Sequence, residues 1–295
     1  MYSRAFVCVC NSHYLPGLWA LLNSILAYHG IDLRLFVALH GPISSEAHQW
    51  LREHPISTAV TWLHTDDFAP PPRGVWEAKQ LVLSHLAGQA QVVCLLDADL
   101  VLTSRLDDIF EAAEQGRIVS SRDGVHDRVF EPRYAVYSPA LVGRRFPYFN
   151  SGFFCLDLVR YWDVAALWAF TERFAAYSPG GGMPYAFPGH GDQGVLNAVV
   201  AMAGKKEHLE ILPQAEWCNS AHWNPERAVI IDKRDGDQLE VRNTSSGLRQ
   251  RLLHSTGPKW WTTSGQDHFS RCGDVLRCFE HFANQPVASP FAIHD

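Results

Sequence analysis

Two apolar patterns alternate over the first 120 residues, and that alternation restricts the fold more than any other feature. Short, largely apolar runs lie at Ala5–Cys10, Leu33–Leu39, Ala59–Leu63, Val92–Leu96 and Ile118–Ser120. A strand covered on both faces reads this way, whereas a half-wet strand alternates polar with apolar residues. Between the runs the apolar residues take helical spacing. Leu15, Leu18, Trp19, Leu22, Ile25 and Leu26 form one stripe, and Ser44–Glu53 and Val75–Leu86 continue the pattern. Strand and helix in turn imply an α/β fold, a mixed and mostly parallel sheet flanked by helices. Later runs at Phe153–Leu156, Val229–Ile231 and Leu252–His254 are also read as strands. Helices are expected near Arg160–Tyr177 and Val195–Ala203.

Composition removes several function classes. Hydrophobic residues make up 47% of the 295 and charged residues 19%, so a large core is expected and wholesale disorder is not. A net charge of -6 argues against nucleic acid as a partner. No apolar stretch approaches the roughly 18 residues of a transmembrane segment, and the N-terminal run is too short for a secretory leader. The cysteine count is odd, and Cys8, Cys10, Cys94 and Cys155 fall inside apolar runs without zinc-site spacing, so reduced thiols and a cytoplasmic location are expected. In the tail, Phe269, Cys272, Leu276, Phe279 and Phe282 suit one amphipathic helix packed on the domain edge. Contact of that helix with a membrane surface is the alternative.

Chemistry concentrates in four places. Asp97 and Asp99 close a buried run, and residues i and i+2 of an extended chain share a face. Two carboxylates without a thiolate suit a hard divalent ion, Mg or Mn, whose open positions a diphosphate can fill. His254, Gly257 and Lys259 offer an imidazole, a site of close backbone approach and a cation for phosphate. Asn150, Ser151 and Gly152 precede an apolar run, where they form either a turn or an amide beside a polyhydroxylated ligand. Asp192 and Gln193 open a helical stretch, so Asp192 either caps the helix or points its carboxylate into a site.

Taken in order, these blocks resemble the retaining glycosyltransferases of family 8, the group that includes glycogenin and the bacterial lipooligosaccharide galactosyltransferases. The similarity runs from about Ala5 to Lys259. It implies a GT-A domain over residues 1–261, Rossmann-like in its nucleotide-binding sheet, and a helical extension over 262–295. The implied function is metal-dependent transfer of a hexose, glucose or galactose, from a UDP-sugar to an acceptor hydroxyl on a carbohydrate or glycolipid. On that resemblance Asn11 and Tyr14 flank the nucleoside, and Lys79 lies near the nucleotide sugar. Asp97, Ala98 and Asp99, with Gly257 and Lys259, would meet the diphosphate; Asp97, Asp99 and His254 would hold Mn or Mg. Asp192, Gln193, Asn150 and Asp123 would serve the sugar and the positive charge developing on it. The ending Gly257-Pro258-Lys259-Trp260-Trp261 is one residue shorter than the family's usual form and lacks its later proline.

Two other classes are weighed against this one. A nucleotide-sugar pyrophosphorylase also joins metal carboxylates to an α/β sheet, but its N-terminal phosphate loop is Gly-rich and basic. The Asn11–Gly17 loop holds one glycine and neither lysine nor arginine. A non-catalytic nucleotide-sugar-binding protein is the second rival, and the acids at 97, 99 and 192 weigh against it.

Overall fold

The computed structural model describes residues 1–291 apart from 70, 73, 123–127, 131–137, 176–190, 214–215, 218–227 and 256–258. The chain begins β1 (Tyr2–Asn11), α1 (Leu15–His29), β2 (Arg34–His40), α2 (Ser45–Glu53), β3 (Val60–His64), α3 (Val75–His85) and β4 (Ala90–Asp97). Next come β5 (Leu100–Leu102), α4 (Asp107–Glu114), β6 (Ile118–Arg122), β7 (Arg128–Val129), β8 (Arg145–Phe146) and β9 (Phe149–Asp157). Two helices follow, α5 (Trp162–Ala175) and α6 (Gly191–Met202), then β10 (Leu209–Leu212). The remainder holds β11 (Val229–Asp235), β12 (Gln238–Asn243), β13 (Arg249–Gln250), β14 (Leu252–His254), α7 (Thr263–Phe269) and α8 (Val275–Asn284). Each apolar run read as a strand coincides with one, the runs from Leu33 and Ala59 starting one residue ahead of β2 and β3. Seven strands make the mixed, mostly parallel sheet, in the order β10-β6-β9-β4-β1-β2-β3.

Two compact units are distinguished: Met1–Ala5, His64–Leu95 and Asp108–Leu212 in the first, Phe6–Leu63, Leu96–Asp107 and Pro213–Asp295 in the second. Within the first, β6 pairs with β10 in parallel and with β9 antiparallel. Helix α3 packs on α5 and α6, and α6 packs on β9. Strand β9 is buried along its whole length, so Asn150, Ser151 and Gly152 lie inside a strand and not in the turn their residue types favour. Burial of Phe149, Phe153 and Phe154 outweighs local preference here. The polar groups are answered locally. Asn150 Oδ1 accepts from the Gly152 amide at 2.7 Å, and Asn197 accepts from the Phe149 amide at 3.0 Å and donates to its carbonyl at 2.9 Å.

In the second unit α1 is buried on nearly every side, not along a single stripe. Its internal polar groups are therefore paired. Asn23 Nδ2 donates to the carbonyls of Phe282 at 2.7 Å and Val287 at 2.8 Å, while Ser24 Oγ accepts from the Leu102 amide at 3.0 Å. The tail forms two helices where the spacing suggested one. Gly273 breaks it: φ is +65°, and a Cβ there would lie 2.4 Å from the Val229 carbonyl oxygen. Asp274 then fastens the second helix to β11, its amide donating to Val229 O at 2.8 Å and its Oδ2 accepting from the Ile231 amide at 2.9 Å. The apolar face of α8, with Cys278, Phe279 and Phe282, is buried, and α8 packs on α1. Among the described residues no helix is long and apolar enough to cross a membrane, and no disulfide joins the cysteines. Burial pushes the thiols of Cys10, Cys155 and Cys278 up, which leaves them neutral packing groups.

Candidate functional site

Strand β4 ends at Asp97, and the chain turns through Ala98 and Asp99 into β5. Antiparallel pairing of β5 with β14 sets His254 opposite Leu100. That register carries the imidazole to the acids. His254 Nε2 lies 3.1 Å from Asp99 Oδ1 and 3.7 Å from Asp97 Oδ2. The Ser255 amide donates to the Asp99 carbonyl at 2.9 Å and continues the alignment past the strand end. Lys259 closes the group, its Nζ 2.5 Å from Asp99 Oδ2 and donating to Ser255 O at 2.9 Å. The same ammonium stands 5.2 Å over the Tyr14 ring, which meets Trp261 edge-on at 5.8 Å. Asn11 serves the turn into α1, its Oδ1 accepting from the His13 amide at 3.1 Å.

Asp99 and His254 are buried, and Asp97 is half-buried. Burial by itself would raise the Asp99 pKa. The charges and hydrogen bonds of His254 and Lys259 outweigh it and hold the carboxyl well below the usual carboxylate range. Lys259 shows the reverse balance: burial pulls its pKa down, but the Asp99 charge carries it above its ordinary value. The Tyr14 phenol is pushed up by burial, with Lys259 partly offsetting the shift. At neutral pH the group is thus an ionised carboxylate against an ammonium, beside a neutral phenol. One ligand atom each from Asp97, Asp99 and His254 lies within 4.8 Å of the others. Two carboxylate oxygens and an imidazole nitrogen fit a hard divalent cation. The ammonium seated on Asp99 shows that this pocket favours positive charge.

Gly17 is a site residue that the sequence reading missed. A Cβ on it would lie 2.6 Å from the Ala98 carbonyl oxygen and 2.6 Å from Trp261 Cζ3. The backbone between the two acids therefore rests on a bare patch of α1. A lone glycine within an apolar helical pattern was the available signal. Alanine is the better helix former by about 1 kcal/mol, yet Gly17→Ala is expected to destabilise the fold by about 1–3 kcal/mol through overpacking. Thermal unfolding checks this, and an unchanged or raised Tm would contradict the close approach.

A second cluster lies in the first unit. Asp192 is in the first turn of α6, which starts at Gly191, ahead of the Val195 start expected. Its carboxylate forms an ion pair with Lys79 at 2.6 Å, the two side chains 14% and 8% exposed, and accepts from Ser151 Oγ at 3.1 Å. Gln193 Oε1 accepts from the Ser151 amide at 3.3 Å. Asn150, Ser151, Lys79, Asp192 and Gln193, proposed from separate blocks of sequence, thus come together around one strand. No sequence pattern flagged the Lys79–Asp192 pair itself. Asp123 and Gly257 lie outside the described residues.

No family model and no curated protein matches the sequence. Solved structures are similar in fold. An active-site mutant of LgtC is similar over 97% of this chain and 98% of its own, at a TM-score of 0.61 and 15% identity. The galactosyltransferase LgtC in complex with donor and acceptor sugar analogs gives the same coverage and identity at 0.58. The bifunctional glycosyltransferase WbbM matches 97% of this chain with 50% of its own length, at 0.59 and 12% identity. The chain thus has the GT-A glycosyltransferase fold of LgtC, the fold that its resemblance to family 8 implies.

Proposed function

We propose that this chain is a metal-dependent, retaining hexosyltransferase that moves glucose or galactose from a UDP-sugar to an acceptor hydroxyl on a glycan or glycolipid. The observation that carries the reading is the meeting of Asp97, Asp99, His254 and Lys259 at the end of β4, a place where open α/β sheets bind ligands. Likeness of fold to LgtC, solved with donor and acceptor sugar analogs, supports it. Asp97, Asp99 and His254 would hold Mn or Mg, which supplies charge neutralisation for the leaving diphosphate. Lys259 adds a second positive charge where phosphate charge accumulates, and Tyr14 fixes the position of that ammonium. Asp192 offers a carboxylate to an oxocarbenium-like sugar, while Asn150 and Gln193 offer amides to its hydroxyls.

The direct test is a panel of nucleotide sugars with Mn, scored by released UDP. Release from UDP-glucose or UDP-galactose, abolished by excess chelator, is the expected result. Binding of UDP without turnover of any sugar would place the chain among binding proteins instead.

Asp192→Asn separates chemistry from support. Loss of a preorganised charge is expected to lower turnover by about 10²–10³. The substitution also breaks a buried ion pair, so a stability loss of about 3 kcal/mol is expected. The double variant Lys79→Met, Asp192→Leu removes both charges and is expected to regain most of that stability without regaining turnover. Near-wild-type turnover of Asp192→Asn would remove the residue from the sugar site.

A further inference from the structure

Gly265 lies inside α7, where alanine would be the better helix former by about 1 kcal/mol. Packing accounts for the choice. A Cβ at this position would lie 1.8 Å from the Lys259 carbonyl oxygen and 2.4 Å from its carbonyl carbon, far inside ordinary contact. The bare face of α7 therefore rests on the backbone of Lys259. Thr262, the N-cap of that helix, ties the two together. Its amide and its Oγ1 donate to the Lys259 carbonyl at 2.9 and 2.8 Å, and the same Oγ1 accepts from the Gly265 amide at 3.1 Å. Two donors use both lone pairs of that carbonyl. The next residue anchors the segment from the other side. Trp260 is buried, its amide donates to Ser255 Oγ at 3.2 Å, and its ring stacks on Phe279 of α8 at 5.8 Å. Phe269, the last residue of α7, meets the same Phe279 ring at 5.9 Å.

We propose that Thr262 and Gly265 are positioning residues for Lys259, through which the C-terminal helices α7 and α8 serve the binding of the donor diphosphate; this rests on the reading of the chain as a UDP-sugar transferase. A lysine ammonium is a point charge on a flexible stem and lacks the fixed fork of arginine. Its placement must therefore be set from both ends of the side chain. Asp99 Oδ2 at 2.5 Å and Ser255 O at 2.9 Å hold the ammonium. The Thr262 and Gly265 contacts hold the backbone from which the stem springs. A diphosphate draws the ammonium away from Asp99, and the backbone anchor is then what keeps it within reach. Lys259, Tyr14 and Thr262 line a cavity of ≈ 640 Å³, and Gly265 is not part of that lining. An effect of Gly265 on the donor therefore passes through the lysine it supports.

Calorimetric titration of the full chain with UDP and Mn tests this as a double-mutant cycle of Gly265→Ala and Lys259→Met. Gly265→Ala is expected to weaken UDP about tenfold, since a misplacement of about 1 Å can cost up to about 10²-fold. Lys259→Met is expected to cost at least as much. The two losses are expected not to add, the alanine costing less than about twofold once Lys259 is gone. Equal losses in both backgrounds would make Gly265 a purely structural residue and overturn the proposal. Thr262→Val and Thr262→Ser give the same comparison without added bulk. The valine is expected to weaken UDP about tenfold and the serine, which keeps the hydroxyl, less than about twofold; equal binding by the two would overturn the proposal. Crystal structures of Gly265→Ala and Thr262→Val without nucleotide are expected to show the Lys259 backbone moved by about 1 Å or more. An unmoved backbone in both would overturn it whatever the titrations give. Failure of the wild type to bind UDP would overturn the donor reading and the proposal with it, whereas additive losses would overturn the positioning alone.

Discussion

Asp99→Asn is expected to lower sugar transfer by at least about 10²–10³-fold and to cost about 3 kcal/mol of stability. The side chain keeps its shape and loses its charge. That charge answers Lys259 at 2.5 Å and His254 at 3.1 Å, and it is one of the two anions a hard cation would find here. Hard-ion sites need most of their anionic ligands, and loss of one preorganised electrostatic group costs about 10²–10³ in rate. The stability term comes from stranding a buried cation, for which about 3–5 kcal/mol is usual. Lys259 is 20% exposed on its side chain, which places the loss at the lower end. Asp97 supplies the contrast. It is 30% exposed on its side chain, and its distance from His254 is 3.7 Å, so Asp97→Asn is expected to lose activity with little loss of stability. Turnover with a manganese titration, read beside thermal unfolding of both variants, separates the two effects. An Asp99→Asn protein that turns over normally in Mn would end the metal assignment.

The two acids were legible because they end an apolar run and share a face of an extended chain. What brings His254 to them was not. Strand β5 has three residues, too few to show any period, and the register that sets His254 opposite Leu100 appears only once β5 pairs with β14. Lys259 remained legible as a phosphate cation, but nothing local to it in the sequence points to its seat on Asp99. Asn150 and Ser151 were read as lying just ahead of a strand, as a turn or as an amide beside a ligand, whereas nine buried positions in succession put them inside β9. The split of the tail was legible in principle, since Gly273 interrupts the helical spacing. The Lys79–Asp192 pair was not, because nothing local to either residue points to the other.

Acidification from pH 6.5 to 4 is expected to remove on the order of 3 kcal/mol of stability through each of two buried histidines. His54 donates from Nε2 to Asn23 Oδ1 at 2.9 Å and accepts at Nδ1 from the Ile56 amide at 3.2 Å. A proton on Nδ1 would cancel the second bond. His29 accepts at Nε2 from the Leu106 amide at 3.1 Å and meets Phe6 edge-on, so its neutral form is likewise built in. Burial lowers both pKa values from 6.5 to about 4, and Arg105 adds to the effect at His29. Unfolded imidazoles take up protons near pH 6.5 and the folded ones only near 4. Within that window the unfolded state binds more protons, so stability falls with pH; above it these two groups contribute no slope. Each tenfold change in proton affinity is worth about 1.4 kcal/mol, which gives the figure for each residue. Denaturant unfolding at pH 7.5, 5.5 and 4.5 measures the slope. His54→Gln keeps a donor for Asn23 and cannot take up the proton, so it is expected to flatten the slope by about half. A slope unchanged in that variant would move the acid sensitivity to other groups, and no slope at all would contradict the buried neutral imidazoles.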